Sequence, residues 1–274
     1  MSHIVELKDV LKFLDLESIE YSDKNLELIR DSVEDWVQDI YCRRKLVTTS
    51  YRERYDGSGD EYLILDNYPV TEVAMLSVGM QEVIRVKNTN AGAYASVSVS
   101  STGMTLNKDG TSTSLTFATY PTMTTLVGAI NAQSGWSAVL SMSTYGSYPS
   151  NLLVEKMGLQ CIDSAEVGLE MPQVGEYDFE VDAKRGMIYS PFGFPSGVQN
   201  IYINYTAGYT STTMPNDLKL AVLIIIKNIY QSRSEESFGM TGYSVSGISV
   251  SFEQEAMPKQ AKDILDRGYR RLLV

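Results

Sequence analysis

The sequence is almost without histidine. Its one example, His3, lies close to the start of the chain. Catalytic dyads and triads that use histidine as a base need that base held within hydrogen-bond reach of a nucleophile, so this chemistry is not expected. Cysteine is nearly as scarce, with only Cys42 and Cys161, far apart in sequence. Two isolated cysteines make neither a disulfide framework nor a zinc site, and they fit synthesis in a reducing compartment. There is no G-x-x-x-x-G-K-[ST] phosphate loop and no G-x-G-x-x-G fingerprint. The most apolar run, 218–226, is too short to span a bilayer, so no membrane partner is expected. The first residues carry acids early and lack a long apolar stretch, unlike a secretory signal. Asn204-Tyr205-Thr206 matches a glycosylation acceptor and is read as a chance match within a strand.

Basic charge is also short. Across 274 residues, 23 Lys and Arg face 34 Asp and Glu, giving a net charge of -11. A protein built to grip phosphates is usually basic, and this one repels nucleic acid on average. Two readings of the acidity stand: ordinary solubility charge, or a wall along which DNA slides without sticking.

With 43% hydrophobic and 21% charged residues, the chain is long enough for one large core or two modest ones. Residues 88–150 hold only two charges, Lys108 and Asp109, and are crowded with Ser and Thr. The flanks mix charge with apolar positions. This shift predicts a host domain formed by 1–85 and 171–274, interrupted by an inserted module at 86–170. The alternative is one continuous domain with an unusually Ser/Thr-rich sheet.

The expected fold class is α+β: a helical core of about four helices with a small antiparallel sheet, plus the β-rich α+β insert. Leu7, Val10, Leu11 and Leu14 predict a short helix. A longer one is expected over 22–44, capped by Ser22 or Asp23, with Leu26, Ile29, Val33, Trp36, Val37 and Ile40 as its apolar stripe. Glu27, Asp31, Glu34, Asp35 and Asp39 lie off that stripe. Strands follow at 48–55, 62–65, 70–77 and 81–87, with Asp56-Gly57-Ser58-Gly59-Asp60 as a hairpin turn between the first two. The polar zone reads as β-β-α-β, with room for one more strand. Beyond it come a hairpin at 177–190, a strand at 199–205, and a helix over 218–231 that is apolar on nearly every side and should be central. Two alternating pieces flank Ser246-Gly247. Pro258 opens a terminal helix carrying Ala261, Ile264, Leu265, Tyr269, Leu272 and Leu273.

Two carboxylate groups are candidate sites. The turn Asp56 to Glu61 offers oxygens to a cation, but it lacks the ligand spacing and distal Glu of an EF-hand, so a plain turn is favoured. Asp178, Glu180 and Asp182 share one face of a strand and read as a charged edge that discourages sheet-to-sheet aggregation. No catalytic, cofactor-binding or metal-ligating residue is assigned, and no cofactor is expected. The 18 tyrosines favour an assembly protein, since aromatics are enriched at interface cores.

Four stretches carry a resemblance. The early helix ends in Tyr41-Cys42-Arg43-Arg44 and leads to Tyr51, Tyr55 and the Asp56-Gly57 turn. Leu63-Ile64-Leu65 is followed by Tyr68-Pro69-Val70. The strand at 198–205 runs into Thr206-Ala207-Gly208-Tyr209, then Pro215 and the apolar helix. Gly242-Tyr243-Ser244-Val245-Ser246 precedes the terminal helix. In order and spacing these resemble the head–tail connector (adaptor) proteins of tailed bacteriophages, over about 5–85 and 175–273.

The resemblance implies a non-enzymatic structural virion protein, made in the host bacterial cytoplasm and ending in the neck of the particle. Copies would form a homo-oligomeric ring, commonly a dodecamer, beneath the portal protein. The ring would extend the DNA exit channel, dock a downstream connector, stopper or tail protein, and let genomic DNA pass without specific binding. Tyr243, Val245, Ile248, Val250 and Phe252 are then an arm that adds a strand to a neighbour. Arg267, Arg270 and Arg271 either meet an acidic surface of the portal or are a solvated helix end. Asp31, Glu34, Asp35 and Asp39 either face the lumen or are a solvated face. Two other functions stay open: a tail-completion or tail-terminator ring, and a carbohydrate-binding decoration through 86–170.

Overall fold

A computed structural model of the chain describes residues 3–16, 24–90, 92–175, 177–234, 242–245, 248–251 and 257–271. The chain opens with α1 (Leu7–Phe13) and α2 (Lys24–Asp35), and α2 continues directly into a π-helical segment, Trp36–Cys42. Ser22 and Asp23, the expected caps, lie outside the described residues. The π segment corrects the expected stripe. Each wider turn shifts the following residues by roughly 100° around the axis. Val37, Gln38 and Cys42 therefore point inward, whereas Ile40 is 65% exposed. The segment ends at Arg43 in the left-handed region (φ 57°), with the Arg44 amide donating back to the Gln38 carbonyl. The buried Gln38 side chain then accepts the Leu46 and Val47 amides and turns the chain away.

The strands β1 (Thr49–Gly57), β2 (Tyr62–Ile64), β3 (Val70–Val78) and β4 (Met80–Asn88) come next. The Ser/Thr-rich stretch contributes β5 (Ala95–Val99), β6 (Gly103–Lys108), β7 (Thr111–Thr116), α3 (Met123–Asn131) and β8 (Trp136–Leu140). Thr122 caps α3 in a capping box with Thr125. Then follow β9 (Lys156–Gln160), β10 (Val167–Pro172), β11 (Glu180–Asp182), β12 (Met187–Tyr189) and β13 (Gly197–Ala207). The last elements are α4 (Asn216–Ser234), β14 (Gly242–Val245), β15 (Ile248–Ser251) and α5 (Lys259–Gly268). The α+β expectation holds.

Pairing is antiparallel, in separate small sheets ordered β1-β13-β3, β11-β12-β2, β10-β4-β8 and β7-β6-β5-β9. This corrects the hairpin expected at 56–60. β1 and β2 do not pair with each other, because the longer β13 takes β1 while β12 takes β2.

Three cores result. The helical one gathers Val10, Val33, Val37, Leu46, Leu218, Val222, Ile226, Ala261 and Leu265 around α4. A second lies under the sheets β1-β13-β3 and β11-β12-β2, with Leu65, Leu76, Ile188, Ile203 and Tyr205. The third draws only on residues between Val83 and Met171. Its chain enters through β4 and leaves through β10, which pair side by side, and the Gln173 amide donates to the Gly79 carbonyl at 3.1 Å. Alternation explains the Ser/Thr content: Ala95, Val97, Val99, Met104 and Leu106 face inward, leaving hydroxyls outside.

The Thr206-Ala207-Gly208-Tyr209 signature has a packing cause. Gly208 sits at φ 104°, and a Cβ there would lie 2.5 Å from the Val47 carbonyl oxygen. The Tyr209 amide donates to the Leu46 carbonyl and the Thr48 amide to the Tyr209 carbonyl, which joins the helical core to the sheet.

Arg44 closes the same junction. It is buried; its Nε donates to the Tyr269 carbonyl at 2.8 Å, its Nη1 to the Tyr68 carbonyl, and its guanidinium lies 3.7 Å from the centre of the Tyr68 ring. Removing it leaves two carbonyls without their donor and a cavity behind. Arg44→Ala is expected to cost about 2–4 kcal/mol, or roughly 5–10 °C in melting temperature. An unchanged thermal melt would show that Arg44 is not a structural tie.

Candidate functional site

The acidic side of α2 divides. Asp31, Asp35 and Asp39 are exposed, and Asp39 pairs with Lys45 at 2.7 Å. Glu34 departs from its expected position off the stripe: it is only 4% exposed. The N-terminal segment explains this. Ile4 and Val5 enter the helical core, the Val5 amide donates to Glu34 Oε1 at 2.9 Å, and His3 Nδ1 lies 3.1 Å from Glu34 Oε2. Burial raises the Glu34 carboxyl above its ordinary range, against the opposing Val5 and His3 contacts.

A carboxyl raised in this way holds its proton longer in the folded state than in the unfolded one. Its contribution to stability is therefore largest at low pH and falls as pH rises through the raised value. Glu34→Gln keeps an acceptor for the Val5 amide without the buried charge. It is expected to raise the melting temperature at pH 7 by about 2–4 °C, worth ~1 kcal/mol in a chain of this size, and to flatten the pH profile. A lower melting temperature at pH 7 would contradict this account of Glu34.

The C-terminal arginines also separate. Arg267 is exposed. Arg270 pairs with Asp266 at 3.4 Å and lies over the Tyr41 ring. Arg271 is held inside the chain: its side chain pairs with Asp66 at 2.5 Å and its amide donates to the Cys42 carbonyl. In the expected arm, β14 pairs with β15, placing Tyr243 opposite Val250 and Val245 opposite Ile248. Phe252, Leu272 and Leu273 lie outside the described residues. Among the described residues no ion pair links the C-terminal arginines to the acidic side of α2.

The remaining carboxylates serve structure. Asp56 Oδ1 accepts the Gln199 amide at 2.6 Å, and Gly59 and Asp60 exchange backbone bonds with Phe194. Among the described residues no group of three or more His, Cys, Asp and Glu is placed to hold a metal ion. Glu180 and Asp182 stand exposed on β11, an edge strand of its sheet, with Asp178 exposed just before it.

One network escaped the sequence reading. Glu53 Oε2 accepts the Tyr55 and Tyr205 hydroxyls at 2.5 and 2.6 Å, Oε1 accepts from Asn67, and the Tyr55 oxygen accepts the Asp66 amide. The sequence signal was a Glu between two tyrosines at strand spacing. Burial first, and then the Glu53 bond, push both hydroxyls well above the ordinary tyrosine range. They hold their protons and serve as donors. Burial also pushes the Cys42 thiol up to about 12 and the Cys161 thiol up to about 11, so neither is an activated nucleophile.

Residues 141–272 match the family model described as head completion protein. Over that stretch this chain is similar to head completion proteins. The match takes in Thr206-Ala207-Gly208-Tyr209, Pro215 with α4, and Gly242 to Ser246, stretches on which the resemblance to phage connectors was drawn. Among solved structures, the chain resembles one in the neck of an empty GTA particle computed with C6 symmetry: TM-score 0.46, 11% identity, 99% of this chain and 92% of that chain covered. It also resembles a chain in the virion of a native gene transfer agent (GTA) particle, with TM-score 0.36, 10% identity and coverage of 99% and 92%. No curated protein matches.

Proposed function

We propose that the chain is a structural virion protein of the head–tail junction, a connector that completes a DNA-filled head and docks the next neck or tail component. The observation that carries this reading is the head completion match over 141–272. The arrangement of residues supports it, because carboxylates, tyrosines and buried arginines are spent on holding segments together. In this reading copies close into a ring, commonly of twelve, by heterologous contacts between identical subunits beneath the portal protein. The exposed Asp31, Asp35 and Asp39 keep passing DNA from adhering, Arg267 and Arg270 lie toward a neighbour, and the β14–β15 hairpin reaches to an adjacent copy. The protein resides in the particle neck and has no enzymatic task.

A stop codon placed early in this gene, in the phage or particle that carries it, should leave separate filled heads and finished tails in negative-stain images of the lysate. Intact tailed particles would overturn the connector reading. Tails of uncontrolled length would instead assign the chain to tail termination.

The domain division belongs to the same proposal, with 86–170 as an insert in a host formed by 1–85 and 171–274. The separate core between Val83 and Met171 and the adjacent entry and exit strands support it. Replacing residues 80–172 with a short Asn-Gly turn should preserve the helical circular dichroism and still rescue joining in the stop mutant. A variant that no longer folds would contradict the division.

A further inference from the structure

Between the host sheet and the Ser/Thr-rich module lies a cleft of about 180 Å³, lined by Arg52, Arg54, Tyr202, Ser101, Asn151 and Glu155, with Leu153 and Val154 behind them. It follows from register. Arg54 stands opposite Tyr202 and Arg52 opposite Asn204 across the β1–β13 pair. Tyr51, Glu53 and Tyr55 alternate onto the other face, over the core that holds Tyr205 and Ile203. Arg52 Nη1 bridges to the module by donating to the Asn151 carbonyl at 2.8 Å.

Tyr202 lines the cleft with its ring largely buried. Its hydroxyl bonds no described residue and is not among the sealed-off polar atoms, so it is open to solvent and free to donate. Arg54 likewise makes no ion pair with a described residue, and Glu155, the one carboxylate in the lining, lies beyond ion-pair distance of both guanidiniums. Two positive charges against one negative leave the cleft with a net positive charge, on a chain whose own net charge is -11.

We propose that this cleft binds a small tetrahedral oxyanion of the phosphate class, free in solution. Arg52 and Arg54 supply charge-assisted donors, Tyr202 donates its hydroxyl, and Ser101 lies at the mouth. The cleft is smaller than sites for drug-sized ligands, which begin at about 300 Å³, and suits a single headgroup. A duplex is a poor occupant, because the chain as a whole carries a net charge of -11. Since the lining comes from both the host sheet and the module, an occupant joins the two cores.

The test is phosphorus NMR and thermal melting of the whole chain with inorganic phosphate at constant ionic strength. Saturable binding is expected, with a dissociation constant on the order of 1 mM and a rise in melting temperature. Tyr202→Phe should weaken binding about fivefold to tenfold, and Arg54→Gln by more than about tenfold. Glu155→Gln, which removes the opposing charge, should tighten it by about threefold or more. No saturable binding, or all three variants binding as the parent does, would overturn the proposal. So would a short DNA duplex that binds through Arg54 where phosphate does not.

Discussion

A buried guanidinium is the constraint on which the packing of helical core against sheet depends. Arg44 follows a π-helical end, and a charge taken out of water there must be fully met by acceptors. Among the described residues no carboxylate meets it; the Tyr68 and Tyr269 carbonyls and the Tyr68 ring do. Those groups lie far apart in sequence, one on the loop before β3 and the other just after α5. Satisfying one side chain therefore fixes how the last helix sits against the first sheet. Arg271 adds a second tie through Asp66, whose amide feeds the Tyr55–Glu53–Tyr205 network. Helical core and sheet are joined through polar contacts, and the apolar clusters on either side remain distinct.

The module obeys a different logic. Its 88–150 stretch carries almost no charge, so its solubility rests on Ser and Thr hydroxyls on outward faces while Val, Leu and Met fill the interior. The strands that lead into and out of it, β4 and β10, are adjacent and antiparallel, and Gly79 and Gln173 are joined by a backbone bond. The chain therefore leaves this stretch beside the point where it entered.

Local periodicity made much of this legible. The helices at 7–13, 216–234 and 259–268 follow from their apolar spacing, and β1, β3, β4 and β13 from alternation. Long-range effects were hidden. The π segment that exposes Ile40 leaves no mark in a 3.6-residue pattern, and Glu34 reads as a surface acid until the N-terminal segment is laid over it. The separation of β1 from β2 was not visible, because the Asp56-Gly57 turn has hairpin chemistry while pairing was decided by strands more than 100 residues later. Arg271 looked available for a partner at a helix end, yet Asp66 holds it. The Tyr202 cleft exists only where two strands and the module meet.

The similarity to head completion proteins over 141–272 and the polar ties between helical core and sheet support the proposed account of a structural subunit at the head–tail junction. Its most direct test is a cryo-electron-microscopy reconstruction of the neck of the particle that encodes this chain. The account predicts a closed ring of density between portal and tail that fits the helical core and its sheet, with the Ser/Thr-rich module as a distinct lobe. Density for this chain only on the capsid exterior or at the distal tail tip would contradict it.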